Sequence, residues 1–364
     1  MRIGVNASPM SLDTAADTGN IVTTLLTGLC RLHPEHTFVF FFDKTPSSSL
    51  KLPSNAAMVV LPLKGDSAWR LSLWQEWTLP RALKAQRIEL YLGMDGALPL
   101  RSKIPAELFI TDMGFMHGVA GMRPSVQRSL QKNTAKYIQK AQRVLVLSQA
   151  TKDDVLQYAP DAADKVQLVS PGIPESYQPL EWQDREDVKR EFAWGVEYFI
   201  AVGSLHPRNN ILPLLKAFSA LKRRLHSNMK LVLAGAGTPA GAEITGSLSS
   251  YKYRDDVVLL KDADQATLSR AVAGAYALIY TSRFEGMAMP VYAALQCQVP
   301  VIALEGQAAR EAGGDAVLYT DPESLEDLAD KMCLLYKDEE LRTRQLGRIA
   351  ARPLPVLSVA GFTG

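Results

Sequence analysis

The chain has 364 residues, 47% of them hydrophobic, which is enough for two domains with separate cores at the usual ~100 to 200 residues each. Lysine and arginine number 40 and aspartate and glutamate 38, so the formal net charge of +2 gives no reason to expect nucleic-acid binding. The sequence shows no apolar leader and no apolar run near the ~20 residues that span a bilayer, so we expect a cytoplasmic protein.

The first half of the chain alternates short apolar runs with helix-like segments. Strands are predicted at residues 2–6, 36–42, 57–61, 88–92, 107–111, 143–147 and 165–169, and helices at residues 20–32 and 124–141. Such alternation is typical of a doubly wound α/β domain, so residues 1–170 are assigned to a Rossmann-like first domain. Residues 171–183 are polar and rich in proline, which predicts a linker.

The second half repeats this alternation. Strands are predicted at residues 199–202, 231–234, 257–260, 278–281, 301–304 and 317–319, within a second Rossmann-like domain at residues 184–350. The tail, residues 351–364, contains Pro353 and Pro355, which disfavour a long helix. We therefore predict a divergent or truncated tail.

Two strand-to-helix loops of the second domain carry the chemistry. After the apolar run 277–280 comes Thr281-Ser-Arg-Phe-Glu-Gly-Met-Ala-Met-Pro290, where a helix begins and its first backbone amides lack intrahelical partners. A helix start of this kind is a natural anion site. Arg208 follows another apolar run, Tyr198-Phe-Ile-Ala-Val-Gly203, and its guanidinium fork matches phosphate oxygens. Together the two loops predict a site for a nucleoside diphosphate.

These motifs resemble those of a known family. The motifs of both loops, with Val299-Pro-Val-Ile302, Met1-Arg-Ile-Gly-Val-Asn-Ala7, Val144-Leu-Val-Leu-Ser148, Lys230-Leu-Val-Leu-Ala-Gly235 and Gly313-Gly-Asp-Ala316, follow one another in that family's order. The chain thus resembles the retaining nucleotide-sugar glycosyltransferases of family 4. The resemblance implies the GT-B fold, an α/β architecture in which two Rossmann-like domains with doubly wound parallel sheets face a central cleft. It also implies that the first domain, residues 1–170, binds the acceptor and that the second, residues 184–350, binds the nucleotide sugar.

The resemblance also implies roles for residues. Glu285 would contact the donor sugar, Arg208 would clamp the diphosphate, and Asp112 would complete the candidate catalytic set. The donor site would be formed by the two loops and by the glycine-bearing start of the first helix, at Gly19, Gly203, Arg208, Asn209, Glu285, Gly286, Met287, Ala288 and Met289. For Gly19, a plain helix cap after Asp17 stays an equal alternative.

No metal or other cofactor is expected, because cations and amides can stabilise a diphosphate leaving group. His33, His36, His117, His206 and His226 are scattered along the sequence. The pair Asp262 and Asp264 has the spacing of a metal-binding DxD pattern, but we interpret it as a loop or helix N-cap feature.

Three positions depart from the family pattern. Thr111 stands where many relatives have histidine, Asn209 where they have lysine, and Ala293 where they have a second carboxylate that holds the ribose. Two interpretations stay open. The chain transfers a hexose from a UDP- or GDP-sugar to a saccharide or lipid-linked acceptor, or it is a catalytically impaired homologue that acts as a binding or chaperone partner of an active glycosyltransferase. A dinucleotide-binding dehydrogenase is disfavoured, because no GxGxxG follows the first strand.

A tryptophan-rich segment, residues 69–77, raises the question of membrane contact. Trp74 and Trp77 are three residues apart and Trp69 lies eight before Trp77, which favours core packing of one helix face. Peripheral contact with the inner face of a membrane, or an acceptor groove, is the alternative.

Overall fold

The computed structural model of the protein describes residues 1–11, 18–46, 50–63, 65, 67–119, 124–235, 237–238, 241–261, 263–355 and 357–358. Within these residues the chain divides into two compact units. The first comprises residues up to 172 together with 357–358, and the second comprises residues 173–355.

The first unit contains a parallel seven-stranded sheet in the order β3-β2-β1-β4-β5-β6-β7. Its strands are β1 Arg2–Asn6, β2 Thr37–Phe42, β3 Ala56–Val60, β4 Leu90–Gly93, β5 Ala106–Ile110, β6 Arg143–Val146 and β7 Val166–Leu168. Its helices are α1 Thr18–Leu32, α2 Ala68–Leu73, α3 Leu79–Ala85, α4 Pro124–Lys140 and α5 Gln149–Tyr158. The strand numbers increase outward in both directions from β1 and β4, so the strand order reverses between these two.

The second unit contains a parallel six-stranded sheet in the order β11-β10-β9-β12-β13-β14, which reverses between β9 and β12. The strands are β9 Tyr198–Val202, β10 Lys230–Ala234, β11 Val257–Leu260, β12 Ala277–Tyr280, β13 Val301–Leu304 and β14 Leu318–Thr320. The helices are α6 Trp182–Ala193, α7 Ile211–Leu225, α8 Ala242–Ser249, α9 Gln265–Ala273, α10 Met289–Gln296, α11 Gln307–Gly313, α12 Leu325–Lys337 and α13 Glu339–Ala351.

Burial on both faces explains why the strands could be recognised in the sequence as apolar runs. Parallel strands covered by helices on each side are continuous apolar runs rather than alternating ones. In β2, for example, all five residues from Phe38 to Phe42 are fully buried. All thirteen parallel strands agree with their predicted bounds to within two residues.

The predicted linker and tail both contribute to a small antiparallel ladder. Strand β8, Ser170–Pro171, pairs with β15, Leu357–Ser358. Helix α6 begins at Trp182, and α13 ends at Ala351, before the prolines of the tail. The remaining tail residues, 356 and 359–364, lie outside the described residues.

The tryptophan-rich segment is helical but does not pack as predicted. Between α2 and α3 the residues Trp74–Thr78 form a π-helical turn. Trp74 is buried and its Nε1 donates to the Leu61 carbonyl at 2.7 Å, whereas Trp69 and Trp77 are 60% and 44% exposed. The prediction of core packing is therefore wrong for Trp69 and Trp77. Five residues separate Trp69 from Trp74, about 140° around an α-helix of ~3.6 residues per turn, and the wider π turn moves Trp77 off the Trp74 face.

Candidate functional site

The two predicted loops meet at the reversal point of the second sheet. Arg208 follows β9 and Glu285 follows β12, and these strands are neighbours. The Arg283 amide donates to the Arg208 carbonyl at 3.2 Å, and the Thr281 hydroxyl donates to the Asn209 carbonyl at 2.6 Å. Ligands of open parallel sheets bind at such a reversal point, beyond the carboxyl ends of the strands.

The loop after β9 has a rigid backbone. Gly203 has φ +142° and Gly235, after the neighbouring β10, has φ +158°, conformations that residues with side chains rarely adopt. A Cβ at Gly235 would clash with the Gly203 carbonyl. Asn209 is 6% exposed, and its amide donates to the Ser204 carbonyl at 2.8 Å. In this geometry the Asn209 side chain holds the loop together and does not reach into solvent.

Arg208 presents its charge at the end of this loop. It belongs to a short 3-10 helix, Pro207–Asn209, and Asn210 then adopts φ +50° before α7 begins. The guanidinium is partly exposed and makes no hydrogen bond or ion pair with any residue that the structure describes. An unpaired, partly exposed guanidinium can bind an anion without first breaking a protein contact.

Glu285 is oriented by a residue that the sequence did not single out. Tyr280, the last residue of β12, is 5% exposed, and its hydroxyl donates to Glu285 Oε2 at 2.8 Å. Burial, and then the neighbouring Glu285 carboxylate, raise the pKa of Tyr280 well above its usual value. The phenol therefore stays protonated and fixes one oxygen of the carboxylate.

Backbone amides beside Glu285 are available to a ligand. Among the residues described, the amides of Gly286, Met287 and Ala288 have no hydrogen-bond acceptor. The amide of Met289 is engaged by the Met287 carbonyl at 2.9 Å, and Pro290 has no N–H. Three donors thus lie directly before α10 and close in sequence to the carboxylate, on residues that are themselves buried.

Ala293 lies in the middle of α10 and faces the core of the second unit. It is 3% exposed and packs among apolar residues that include Val291, Ala294 and Leu295. The position offers no open path for a polar side chain.

The predicted residues of the first unit are less closely grouped. Gly19 lies in the first turn of α1, whereas Asp17 lies outside the described residues. Asp112 Oδ1 accepts the Gly114 amide at 2.8 Å, so this carboxylate supports its own turn beside the partly buried Thr111.

A further acidic residue, Asp95, was missed in the sequence. It follows β4 at the reversal point of the first sheet, in a turn where Gly96 has φ +75°, and the Asn6 side chain at the end of β1 hydrogen-bonds its carboxylate. Solvent reaches Asp95, yet surrounding protein desolvates the carboxyl group and raises its pKa to about 6. The only sequence signal is an aspartate directly after a buried strand.

Two observations bear on metal binding. His33, Glu35 and His36, which the sequence treated as scattered, are brought together with potential ligand atoms within 4.8 Å of one another. This group, of which only Glu35 is exposed, precedes β2 and so lies at the edge of the sheet opposite to the carboxyl ends of the strands. Asp264 accepts the Thr267 amide at 2.8 Å as the N-cap of α9, which confirms its predicted role, while Asp262 lies outside the described residues.

Comparison with known proteins identifies the second unit. Residues 183–350 match the family described as Glycosyl transferases group 1. These residues are a group 1 glycosyl transferase domain. The domain contains Arg208, Glu285 and the three free amides, so the predicted resemblance is confirmed at this level.

Solved structures show that the whole chain has the GT-B fold. WaaG, a glycosyltransferase involved in lipopolysaccharide biosynthesis, is 16% identical with a TM-score of 0.75, covering 96% of this chain and 94% of its own. Sucrose-phosphate synthase from Thermosynechococcus elongatus is 18% identical with a TM-score of 0.77 and the same coverage. Anabaena HepE, solved with UDP and glucose, is 14% identical with a TM-score of 0.72, again with that coverage.

Sequence relatives are mannosyltransferases. The O-antigen chain mannosyltransferase B of Escherichia coli is 23% identical over 232 residues, 59% of this chain and 57% of that protein. The serotype-specific mannosyltransferase WbdA of Escherichia coli is 23% identical over 250 residues, 65% of this chain and 30% of that protein. The matches thus span little more than half of the one relative and less than a third of the other.

None of the helices in the described part of the chain combines the length and the apolar character needed to cross a membrane.

Proposed function

We propose that the protein transfers a hexose, with retention of anomeric configuration, from a UDP- or GDP-sugar to a saccharide or lipid-linked acceptor. The observation that carries this proposal is the meeting of the Arg208 loop and the Glu285 loop at one reversal point. The Arg208 guanidinium and three backbone amides, none of which has a partner among the residues that the structure describes, flank a carboxylate there. This set can bind a diphosphate and accept hydroxyl hydrogen bonds from the attached sugar.

The transfer breaks the bond between the anomeric carbon and the diphosphate oxygen, while the acceptor hydroxyl oxygen bonds to that carbon on the same face. The acceptor proton passes to the departing diphosphate. Negative charge grows on the leaving group, and donors that are already in place stabilise it most effectively. Arg208 and the amides of residues 286–288 supply this stabilisation without requiring a metal ion.

Glu285 has a different part in the proposal. The reacting sugar passes through an oxocarbenium-like state, so a fixed carboxylate that accepts hydroxyl hydrogen bonds orients the ring and favours its positive charge. Tyr280 acts as a positioning residue, because its protonated hydroxyl holds Glu285 Oε2. Mannose is the first hexose to test, since the named relatives are mannosyltransferases.

Substitution of Glu285 and Arg208 tests the proposal. Glu285→Ala should lower turnover on the order of 10²-fold with little change in nucleotide affinity. Arg208→Ala should weaken UDP or GDP binding by about 1.5 to 3 kcal/mol, because a charge-assisted contact is lost. Calorimetric titration and a transfer assay with radiolabelled UDP- and GDP-hexoses measure both effects.

Matched controls are Glu243→Ala and Arg223→Ala, two exposed residues of the same unit. Transfer at the wild-type rate by Glu285→Ala, or unchanged nucleotide affinity in Arg208→Ala, would overturn these assignments.

Buried positions favour the second candidate, a catalytically impaired homologue that binds an active enzyme. Asn209 and Ala293, two of the departures from the family pattern, are buried within the second unit, and the side-chain amide of Asn209 has a hydrogen-bond partner there. A lysine at 209 would lose the Asn209 hydrogen bond to Ser204, so the loop is adapted to the residue it has. Nucleotide binding without transfer to any acceptor would support this candidate, whereas transfer abolished by Glu285→Ala would exclude it.

Exposed tryptophans support a lipid-linked acceptor. Trp69, Leu73 and Trp77 are 60%, 47% and 44% exposed, and the guanidinium of Arg101 lies 4.3 Å from the centre of the Trp77 ring. Exposed indole rings beside cations are suited to the interface of a membrane with anionic lipids. We include peripheral contact of this surface with a membrane in the proposed function.

A further inference from the structure

The turn between α1 and β2 gathers two imidazoles and one carboxylate. His33 follows the last residue of α1, and Glu35 and His36 stand directly before β2. Their potential ligand atoms lie within 4.8 Å of one another, and no second group of three such side chains occurs in the described part of the chain. The proposed transfer gives these residues no part.

The distances within this group suit a single metal ion. Glu35 Oε1 lies 3.1 Å from His33 Nδ1 and 3.6 Å from His36 Nε2. Zinc–ligand bonds of ~2.0 to 2.1 Å in a tetrahedral arrangement place neighbouring ligand atoms about 3.3 Å apart. The two observed separations lie on either side of that value, so the three side chains are already close to the spacing that an ion would impose.

The imidazole rings need one adjustment to bind the same ion. The rings are nearly parallel, with 11° between their planes and 5.6 Å between their centroids. An ion in the plane of both rings therefore requires one ring to turn about χ2, a torsion that is soft in histidine. His36 has Nε2 on the side of Glu35, because its Nδ1 faces the Met1 amino nitrogen at 3.4 Å.

The backbone that carries the three side chains is held in place. The His36 amide donates to the His33 carbonyl at 3.1 Å, which closes a turn with Pro34 at its second position. The side-chain amide of Asn55 donates to the carbonyls of Cys30, His33 and His36 at 2.9 to 3.2 Å. Metal binding does not have to order this turn, which lowers its entropic cost.

The ligand types select the class of metal. Imidazole nitrogen suits zinc and other late first-row transition metals, whereas magnesium and calcium prefer oxygen ligands. The His33 and His36 side chains are 13% and 17% exposed, and Glu35 is 58% exposed. Water can therefore reach a fourth position from the solvent side. A site with three protein ligands and one water is open, so its ion can exchange.

We propose that His33 Nδ1, Glu35 Oε1 and His36 Nε2 bind one exchangeable Zn²⁺ ion, with water as the fourth ligand. The ion joins the end of α1 to the start of β2. It acts on the stability of the first unit and not on the transfer step, so the inference does not rest on the proposed function.

Titration of the full chain with Zn²⁺ tests the proposal. The chain is purified without a histidine tag, which would bind zinc itself, and without an extension before Met1. Calorimetry should show one ion per chain with a Kd in the micromolar range or tighter, and millimolar Mg²⁺ or Ca²⁺ should not displace it. Co²⁺ at the same site should give the strong visible absorption of a four-coordinate ion and lose it when Zn²⁺ is added. Saturating Zn²⁺ should raise the unfolding temperature of the first unit.

Conservative substitutions identify the ligands. His33→Gln, Glu35→Gln and His36→Gln should each weaken Zn²⁺ binding at least about tenfold, because one of three protein ligands is lost. Glu35 is the most exposed of the three, so Glu35→Gln provides the test even where a histidine variant fails to fold. His226→Gln, which changes an exposed histidine of the second unit, is the matched control and should bind Zn²⁺ as the wild type does.

Three results would overturn the proposal. They are absence of Zn²⁺ binding by the wild type, wild-type affinity in the folded ligand variants, and displacement of Zn²⁺ by Mg²⁺ or Ca²⁺. Sugar transfer and nucleotide affinity should be unchanged in Glu35→Gln, so failure of the zinc site leaves the proposed function standing. Failure of transfer likewise leaves the zinc titration valid.

Discussion

Protonation of Asp95 is coupled to the stability of the first unit. The pKa of its carboxyl group is about 6 in the folded chain, whereas an unfolded chain has the ordinary aspartate value of about 3.9. Between these values the folded state holds more protons than the unfolded state. The contribution of Asp95 to stability therefore falls as pH rises from about 4 to about 6, and stays low above that.

Asp95→Asn should remove this pH dependence and make the chain more stable at neutral pH. Desolvation of the carboxyl group by the surrounding protein is the main cause of the raised pKa, and the nearby Asp43 carboxylate adds to it. Tyr91 and Tyr137, which also feel the Asp95 charge, stay protonated throughout this range. Urea denaturation at pH 4.5, 5.5 and 7.5 measures the effect, with Asp164→Asn, which changes an exposed aspartate of the same unit, as the control. Lower stability of Asp95→Asn at neutral pH would show instead that the hydrogen bonds of the ionised carboxylate outweigh its desolvation.

Ala293 gives a second prediction for a single residue. Ala293→Glu, which restores the carboxylate of the family pattern, should lower the free energy of unfolding by roughly 3 kcal/mol or more, because it places an unpaired charge in a packed core. Ala350→Glu, on the exposed side of α13, is the matched control. Thermal unfolding and UDP or GDP titration check this. A stable variant with tighter nucleotide binding would show instead that position 293 reaches the ribose.

The regular elements could be predicted from sequence because their signal is local. Each parallel strand is buried on both faces, so a short run such as Ala277–Tyr280 is apolar throughout and ends at a turn residue. The π-helical turn Trp74–Thr78 has no such signal. Its residues fit an α-helix equally well, and the hydrogen bond from the Trp74 indole to the Leu61 carbonyl joins residues 13 positions apart, which no helix pattern encodes.

The candidate site was predictable only in part, for the same reason. Arg208 and Glu285 each stand in a recognisable loop, and one sheet edge brings the two loops together. Asp95 and Asn6 are 89 positions apart in the chain, and their contact depends on β1 and β4 being neighbours, which no local pattern encodes. The burial of Asn209 likewise depends on how the loop folds back on Ser204.

The tryptophan-bearing helix yields a prediction at this scale. The double variant Trp69→Ala and Trp77→Ala should reduce flotation of the protein with vesicles of anionic and zwitterionic lipid several-fold, because two exposed indole rings are removed. Trp182→Ala, a 73% exposed tryptophan of the second unit, is the control. Absence of wild-type flotation with any vesicle would remove membrane contact from the proposed function.

At the scale of the whole molecule, each of three hydrophobic clusters among the described residues lies within one unit. The clusters around Phe41 and Leu108 in the first unit and around Ile200 and Phe218 in the second share no residue. Separate cores favour unfolding in more than one step. We expect two calorimetric transitions, of which UDP or GDP raises only the one that belongs to the second unit.

The binding free energy of the nucleotide sets the size of this stabilisation. At a nucleotide concentration 100 times the Kd, the second unit should gain about 2.7 kcal/mol. Arg208→Ala should shrink the shift and leave the first transition unchanged. A single cooperative transition would show that the units unfold as one body. An equal shift of both transitions would show that the nucleotide also stabilises the first unit.

The glycine pair beside Arg208 constrains how this protein can diverge. The Gly203 carbonyl occupies the space in which any side chain at Gly235 would begin, so the loops after β9 and β10 meet without room for one methyl group. Such a contact limits which substitutions these two loops tolerate. A Cβ at Gly235 would force the Gly203 carbonyl to move, and the loop that carries Arg208 would move with it. A change of donor preference is therefore expected to come from side-chain substitutions, because the backbone that places the guanidinium has no room to shift.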